Sequence, residues 1–392
     1  MSGQRGRGRR NGPVVAVTRA ASLPGAAVAT ALATRVGESG GPRSVVAVDD
    51  RRGAVDGAVW RIADVTSPGV AERLAGADVV VHVASPSDLT AELALSGGRR
   101  RELAVRGAQA VATAAAAVGA RRLVVVTSAM VYGALPDNPV PLPDDATPRA
   151  PMDDGVVGDL LEVERVTSRT PQVHPGTVLT VVRPAALVGP GVDTVITRHF
   201  EAPRLLSVRG SAMAWQFCHL DDLGEAVAHA VVHGLDGVLT VGCEGALSQA
   251  DVQQQSGMRR IELPSGLAFG TAERLHRMHL LPTPAGDLAF VVYPWAVRSQ
   301  RLRDAGWAPK HDNAGCLAEL LEEVRGRYAV AGRRLERRDA AIGAAGAAVA
   351  LVGTAAVVRA SRRRSGSAPR REAGVRASRS PDADAPAGDD LP

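Results

Sequence analysis

The stretch VVAVTRAASLPGAAVATAL, residues 14–32, decides how the rest of the chain is read. Val14 to Val17 form an unbroken apolar run, the pattern of a strand covered on both faces. From Leu23 onward the residues are small and alanine-rich, so a helix follows. Between them lies a tight turn, and Gly25 is the only glycine of the stretch. Ser22 suits the helix N-cap and Pro24 an early helical position. The unpaired N–H groups and dipole of a helix start favour an anion. The same residues also suit a plain strand-to-helix connection.

Working outward, residues 13–190 alternate apolar runs with Ala-rich helical runs. The predicted strands are Val14–Thr18, Ser44–Val48, Val59–Ile62, Asp78–Val83, Leu123–Thr127 and Val178–Val182. Helical runs such as Glu102–Val118 and Gly158–Ser168 separate them. This rhythm predicts an α/β fold with a doubly wound parallel sheet. After residue 190 the elements become shorter and mixed. They predict a small C-terminal α/β lobe over 191–332, interleaved with the core.

The bulk composition sets limits. The chain has 392 residues, 45% hydrophobic but only 3% aromatic, so the core must be built from Val, Ala and Leu. The net charge of +5 is concentrated at the ends. Arg5, Arg7, Arg9 and Arg10 form a basic arm over 1–12, and more arginines follow residue 332. No aromatic residues interleave with them, so no specific nucleic-acid module is expected. Cys218, Cys243 and Cys316 are far apart, with no metal-ligand spacing and no disulfide framework. No apolar run precedes Pro13, so no secretory signal is expected and the main domain is placed in the cytoplasm.

Two further segments stand apart. Residues 361–392 are rich in Arg, Ser, Pro, Ala and Asp, which predicts a disordered tail. Before them, AAIGAAGAAVALVGTAAVV, residues 340–358, is a run of 19 uncharged residues, long enough for a transmembrane helix anchoring the chain to the cell membrane. Its six larger aliphatic residues favour insertion by about 2–4 kcal/mol in total, and its glycines oppose it. A cytoplasmic main domain would put the Arg-rich tail outside, against the usual charge bias. A soluble or surface-lying helix is the alternative.

Six more segments follow the opening turn in order. They are SVVAVDD (44–50), RIADVTSP (61–68), ADVVVHVAS (77–85), VVVTSAMVYG (124–133), VVRPAALVGP (181–190) and FCHLDDLGEAV (217–227). Together with the turn they resemble the NAD-dependent epimerase/dehydratase family of the extended short-chain dehydrogenase/reductase superfamily, over about residues 13–325. The resemblance implies a Rossmann-like fold and NAD as cofactor. The family's TGxxGxxG turn corresponds to Thr18 through Gly25, with Arg19 and Ser22 at the first two glycine positions. A left-handed Arg19 costs about 1–2 kcal/mol. Asp49, at the end of the second strand, implies recognition of the adenosine ribose and NAD over NADP. Asp64 and Val65 fall near the adenine, Ala84 and Ser85 along the cofactor path, and Pro184 and Ala185 near the nicotinamide. Ser128 falls on the catalytic Ser/Thr. Tyr132 belongs to the structural end of its motif, and His82 reads as a packing residue. Asp221 and Asp222 read as residues that cap a helix and stabilise the lobe. The family also implies a homodimer.

The family's proton-transfer tyrosine, followed four residues later by lysine, is missing. Val156 and Leu160 fall on those positions if Glu164 marks the family's glutamate. The composition agrees. Lys310 is the one lysine, and Pro136, Val297 and Gly332 stand four after the three tyrosines. Ala104 replaces a family asparagine. Asp159, Glu162 and Glu164 lie nearby; they read as a solvated helix face, the alternative being that one of them substitutes as acid or base. Two functions fit these losses. One is an impaired or non-catalytic dinucleotide-binding module, which the residue chemistry favours. The alternative is an active atypical NAD-dependent oxidoreductase or epimerase acting through Ser128 on a nucleotide sugar or similar hydroxyl substrate.

Overall fold

The computed structural model describes residues 12–278, 281, 283–327, 329, 330, 333 and 334. The basic arm to residue 11, the 340–358 run and the 361–392 tail lie outside the described residues. Among those described, no helix is long and apolar enough to cross a membrane.

Seven strands form one parallel sheet: β1 (Val14–Thr18), β2 (Ser44–Asp49), β3 (Ala58–Ile62), β4 (Val79–Val83), β5 (Arg122–Val126), β6 (Val178–Pro184) and β7 (Gly237–Val241). Their order is β7-β6-β5-β4-β1-β2-β3. The chain therefore reverses direction across the sheet at β1, whose neighbours are β2 and β4. In open α/β sheets such a reversal leaves a crevice at the carboxyl ends of the strands. The six predicted strands are present within one or two residues. The seventh, GVLTV, comes from residues 237–241 and so extends the sheet with sequence from beyond residue 190.

Helices cover both faces. In β1, Val15 and Val17 join one apolar cluster and Ala16 joins the other, as the two-residue period of a strand requires. The first cluster is closed by α1 (Leu23–Thr34) and the later helix Leu220–Val232, through Val28, Leu32, Leu223 and Val227. The second is closed by α2 (Gly97–Ala117) and α3 (Val156–Thr167), through Val111, Ala115 and Val163. Helix α2 starts earlier than its apolar pattern suggests, because Ser96 caps it by accepting the Arg99 N–H at 3.4 Å. The helix Leu220–Val232, here α4, packs closely on α1. A Cβ on Gly224 would stand 2.5 Å from the Ala27 carbonyl oxygen.

As expected, the core is mostly aliphatic, with aromatic contacts where Phe200, Trp215 and Phe217 meet and where Phe290 stands edge-on to Trp295. The three cysteines are all buried, and Cys243 Sγ lies 3.6 Å from Cys316 Sγ. Burial pushes the Cys218 thiol well up, keeping it protonated.

Candidate functional site

The opening turn folds as a cradle in spite of its lost glycines. Arg19 adopts φ 56°, the left-handed conformation that glycine would take at no steric cost. Its carbonyl then accepts from the Ser22 N–H at 3.1 Å and the Ser22 hydroxyl at 2.7 Å. Ser22 is the N-cap, accepting from Gly25 N–H at 3.2 Å, and Pro24 sits in the first turn as expected. Gly25 is a glycine the turn cannot lose. A Cβ there would stand 2.0 Å from the Arg19 carbonyl oxygen.

The groups around the turn are ordered by its backbone. Asp49 Oδ2 accepts the Ala21 N–H at 2.8 Å, and Oδ1 accepts the Asp50 N–H at 2.8 Å. Burial pushes the Asp49 carboxyl up, and those two N–H groups pull it back. The Leu23 N–H has no partner among the described residues. Nor does the half-buried Arg19 guanidinium, whose charge offsets part of the rise that burial gives the carboxyls of Glu92 and Asp49. An anion at this helix start would thus meet one free N–H, the helix dipole and a free cation. The free N–H, the left-handed turn and the Arg19 charge fit a dinucleotide pyrophosphate, and Asp49 ends the neighbouring strand β2.

Thr18 closes β1, its hydroxyl 2.8 Å from Nδ1 of His82. His82 is buried and its pKa is pushed down to about 3, chiefly by desolvation, so it stays neutral in the strand as the packing reading expects. Asp64 is exposed and folds back on the backbone and hydroxyl of Thr66. Val65 packs beneath α2. Ala84 continues the ladder, its N–H donating to the Val126 carbonyl at 2.8 Å. Pro184 ends β6, and Ala185 donates its N–H to the Val241 carbonyl.

A cleft opens at the carboxyl ends of the central strands. It brings together Ser85, Ser128 and Ala185 from the expected set. Ser128 caps the short helix Ala129–Tyr132 by accepting the Met130 N–H at 3.2 Å, and its own hydroxyl hydrogen has no acceptor among the described residues. Val156, at the first position of α3, lines the same cleft, while Leu160 is buried. An aliphatic side chain therefore faces the space where the family's tyrosine is expected.

Three carboxyl groups in this cleft escaped sequence reasoning: Glu92, Asp193 and Asp287. Asp193 pairs with Arg198 through two contacts of 2.7 Å. Burial pushes Glu92 up. Asp287 is pushed up to about 7 by burial, with Asp153 adding to the effect. None lies in a recognisable motif.

Two expectations need correction. Asp159 and Glu164 are not on a solvated face. Asp159 is buried between Arg100 Nε at 2.6 Å and Arg101 Nε at 3.0 Å. Glu164 receives Arg183 in a bidentate pair at 2.6 and 3.0 Å, and the Thr127 hydroxyl at 2.6 Å. Of the three only Glu162 turns partly toward solvent, where it pairs with Arg165. Secondly, the cap of α4 is His219, which accepts the Asp221 N–H at 3.1 Å. Asp222 instead binds the backbone N–H groups of Lys310 and His311, fastening a later loop. Tyr132 is structural as expected. Its hydroxyl donates to the Asp144 carbonyl at 2.7 Å, and Arg183 lies 4.7 Å over its ring.

The sequence profile of the NAD dependent epimerase/dehydratase family matches residues 17–242. The uncharacterized proteins Rv0501 of Mycobacterium tuberculosis and Mb0513 of Mycobacterium bovis are each 28% identical over 255 residues. Those alignments cover 63% of this chain and 66% of each relative, so the chain spans just under two thirds of their length. Among solved structures, MoeE5 in complex with UDP-glucuronic acid and NAD superposes with a TM-score of 0.56 at 21% identity, covering 80% of this chain and 99% of that one. DesIV, a dTDP-glucose 4,6-dehydratase from Streptomyces venezuelae with NAD and TYD bound, gives a TM-score of 0.60 at 18% identity, covering 80% and 97%. At such identities the likeness is one of fold.

Proposed function

The chain belongs to the NAD-dependent epimerase/dehydratase family, and from that premise we propose that it binds NAD in the Thr18–Gly25 cradle while lacking the family's tyrosine–lysine route for moving a proton. NAD, when bound, supplies a hydride acceptor. Thr18, Arg19, Ser22 and Gly25 hold its pyrophosphate, Asp49 its adenosine ribose, and Asp64 and Val65 flank the adenine. Ala84, Ser85, Pro184 and Ala185 follow the path toward the nicotinamide. The observation that carries this reading is the left-handed Arg19 with Gly25 closed against its carbonyl. That geometry preserves the cradle after two of its glycines are gone. Arg19 replaces lost backbone contacts with a charge.

Titration of the full chain with NAD⁺ by calorimetry tests this. Binding in the micromolar to low millimolar range is expected, and no binding at millimolar NAD⁺ removes the reading. Arg19→Gly separates the two roles of Arg19. The variant gains about 1 kcal/mol of stability by relief of the left-handed strain, yet loses about tenfold or more in NAD⁺ affinity through the missing charge–phosphate contact. Tighter binding would mean that Arg19 obstructs the cradle.

The second reading is an active enzyme on a nucleotide sugar or similar hydroxyl compound, with Ser128 bonding the substrate oxygen. It is favoured by the open Ser128 hydroxyl facing a carboxyl-lined cleft, and by the UDP-sugar and dTDP-sugar proteins that share the fold.

Attachment to a membrane through residues 340–358 is part of the proposal, supported by their length and lack of charge. The full chain is expected to sediment with membranes and to be released by deletion of 340–358. Equal sedimentation of both forms would exclude that anchor.

A further inference from the structure

We propose that the Asp287 carboxyl is the proton donor and acceptor of the cleft, serving in place of the tyrosine hydroxyl that Val156 lacks. The inference rests on NAD binding in the cradle.

Asp287 sits in the helical turn Ala285–Val291, which reaches the cleft from the C-terminal part of the chain. It lines the same space as Ser128, Ala185 and Val156. A Cβ on Gly155 would stand 3.4 Å from Asp287 Oδ1, so the carboxyl lies against the residue preceding Val156. The residue is only 7% exposed, and its carboxylate has no hydrogen bond or ion pair among the described residues. Of the other carboxylates of the region, Asp159 is committed to Arg100 and Arg101, Glu164 to Arg183 and Asp193 to Arg198; Glu92, half-buried in the same cleft, also makes no hydrogen bond or ion pair among the described residues but lies in the field of Arg19 and Arg100. An uncommitted buried carboxyl is costly to keep unless it is protonated or meets a ligand.

The balance of the step is simple. The substrate O–H bond breaks and its proton passes to the Asp287 carboxylate. The adjacent C–H bond breaks, and that hydrogen leaves with both electrons for the nicotinamide. The carbon is oxidised to a carbonyl as NAD⁺ is reduced to NADH. Ser128 holds the oxygen throughout. In the reverse direction Asp287 returns the proton. A carboxyl pushed up to about 7 can take and return a proton near neutral pH, which suits both directions.

Several charged groups face this site. Asp153 raises the Asp287 pKa and Arg100 lowers it. Glu92 lines the cleft and feels Arg19, Arg100, Asp159 and Asp88. The Asp193–Arg198 pair lies at the same wall. The buried imidazoles of His82 and His199 stay neutral, pushed down to about 3 and about 4 by desolvation.

The test uses the full chain and the cofactor pair, so it needs no substrate. The nicotinamide ring of NAD⁺ carries a positive charge that NADH lacks. A carboxylate facing it therefore favours NAD⁺ once it ionises. Between pH 6 and pH 8 the preference for NAD⁺ over NADH is expected to rise by about tenfold. Asp287→Asn should abolish that rise, and Glu92→Gln should keep it. In the wild-type chain, carbon NMR of labelled aspartate should show one carboxyl titrating near neutrality and moving down on NAD⁺ binding, a readout independent of any variant's folding. Tight binding of both nucleotides with a pH-independent ratio, or a slope that survives Asp287→Asn, overturns the role of Asp287 and leaves NAD binding intact. Failure of both nucleotides to bind overturns the cofactor reading, and the role of Asp287 with it.

Discussion

Glu164→Ala is expected to cost about 3–5 kcal/mol of folding stability. Its partner Arg183 is 6% exposed at the side chain and donates to both carboxylate oxygens, in the fork geometry that a guanidinium matches best. Thr127 donates to the same carboxylate, and the Arg183 guanidinium covers the Tyr132 ring. Removing Glu164 leaves a buried cation with no carboxylate and a buried hydroxyl with no acceptor. Neither can turn to water without opening the sheet at the ends of β5 and β6. The damage also reaches the cleft, since Thr127 directly precedes Ser128. Urea unfolding of the single variants and of Glu164→Met with Arg183→Met checks the cause. The double variant should recover most of the loss, because an apolar pair of similar volume carries no unpaired charge. A loss below 1 kcal/mol for Glu164→Ala would show that water solvates Arg183 where it stands.

This network also marks where sequence reading stops. The strands were legible because a run such as VVAV is apolar on both faces, a property each strand carries locally. The turn was legible for the same reason: Ser22, Pro24 and Gly25 act within one turn of helix. What the turn does with Arg19 was not legible: the residue takes φ 56°, the left-handed conformation that costs an arginine about 1–2 kcal/mol. Asp159 and Glu164 were misread because their burial depends on partners elsewhere. Arg100 is 59 residues from Asp159, and Arg183 is 19 from Glu164. Seen alone, DLLEVE is an ordinary charged helix face. Asp287 was invisible for a related reason. Its segment, PAGDLAF, has no periodicity and no motif, and only the tertiary fold brings it against Gly155. His219 took the capping role expected of Asp221 and Asp222 because its ring nitrogen reaches the N–H two residues on. Asp222 was left free to bind Lys310 and His311.

Gly25→Ala is expected to lower stability by about 2–3 kcal/mol and to weaken NAD⁺ binding by more than tenfold. Alanine ordinarily stabilises a helix by about 1 kcal/mol over glycine, so the sign itself is informative. The added Cβ would meet the Arg19 carbonyl oxygen at 2.0 Å, its carbon at 2.8 Å and the Ser22 hydroxyl oxygen at 2.9 Å. Two of these are backbone atoms and cannot swing away. Relief requires either moving α1 off the sheet or pulling Arg19 out of its left-handed conformation. Both displace the Leu23 N–H and the Ser22 cap that define the anion site. Gly224→Ala supplies the control. Its Cβ would press on the Ala27 carbonyl oxygen at 2.5 Å, in the middle of the α1–α4 contact. That variant should lose comparable stability, yet bind NAD⁺ nearly as well once folded, because the turn itself is untouched. Calorimetric titration of both variants, with thermal unfolding, separates the outcomes. Equal loss of binding in the two would mean that α1 as a whole, and not the turn, positions the cofactor. Unchanged binding in Gly25→Ala would remove the cradle from the site.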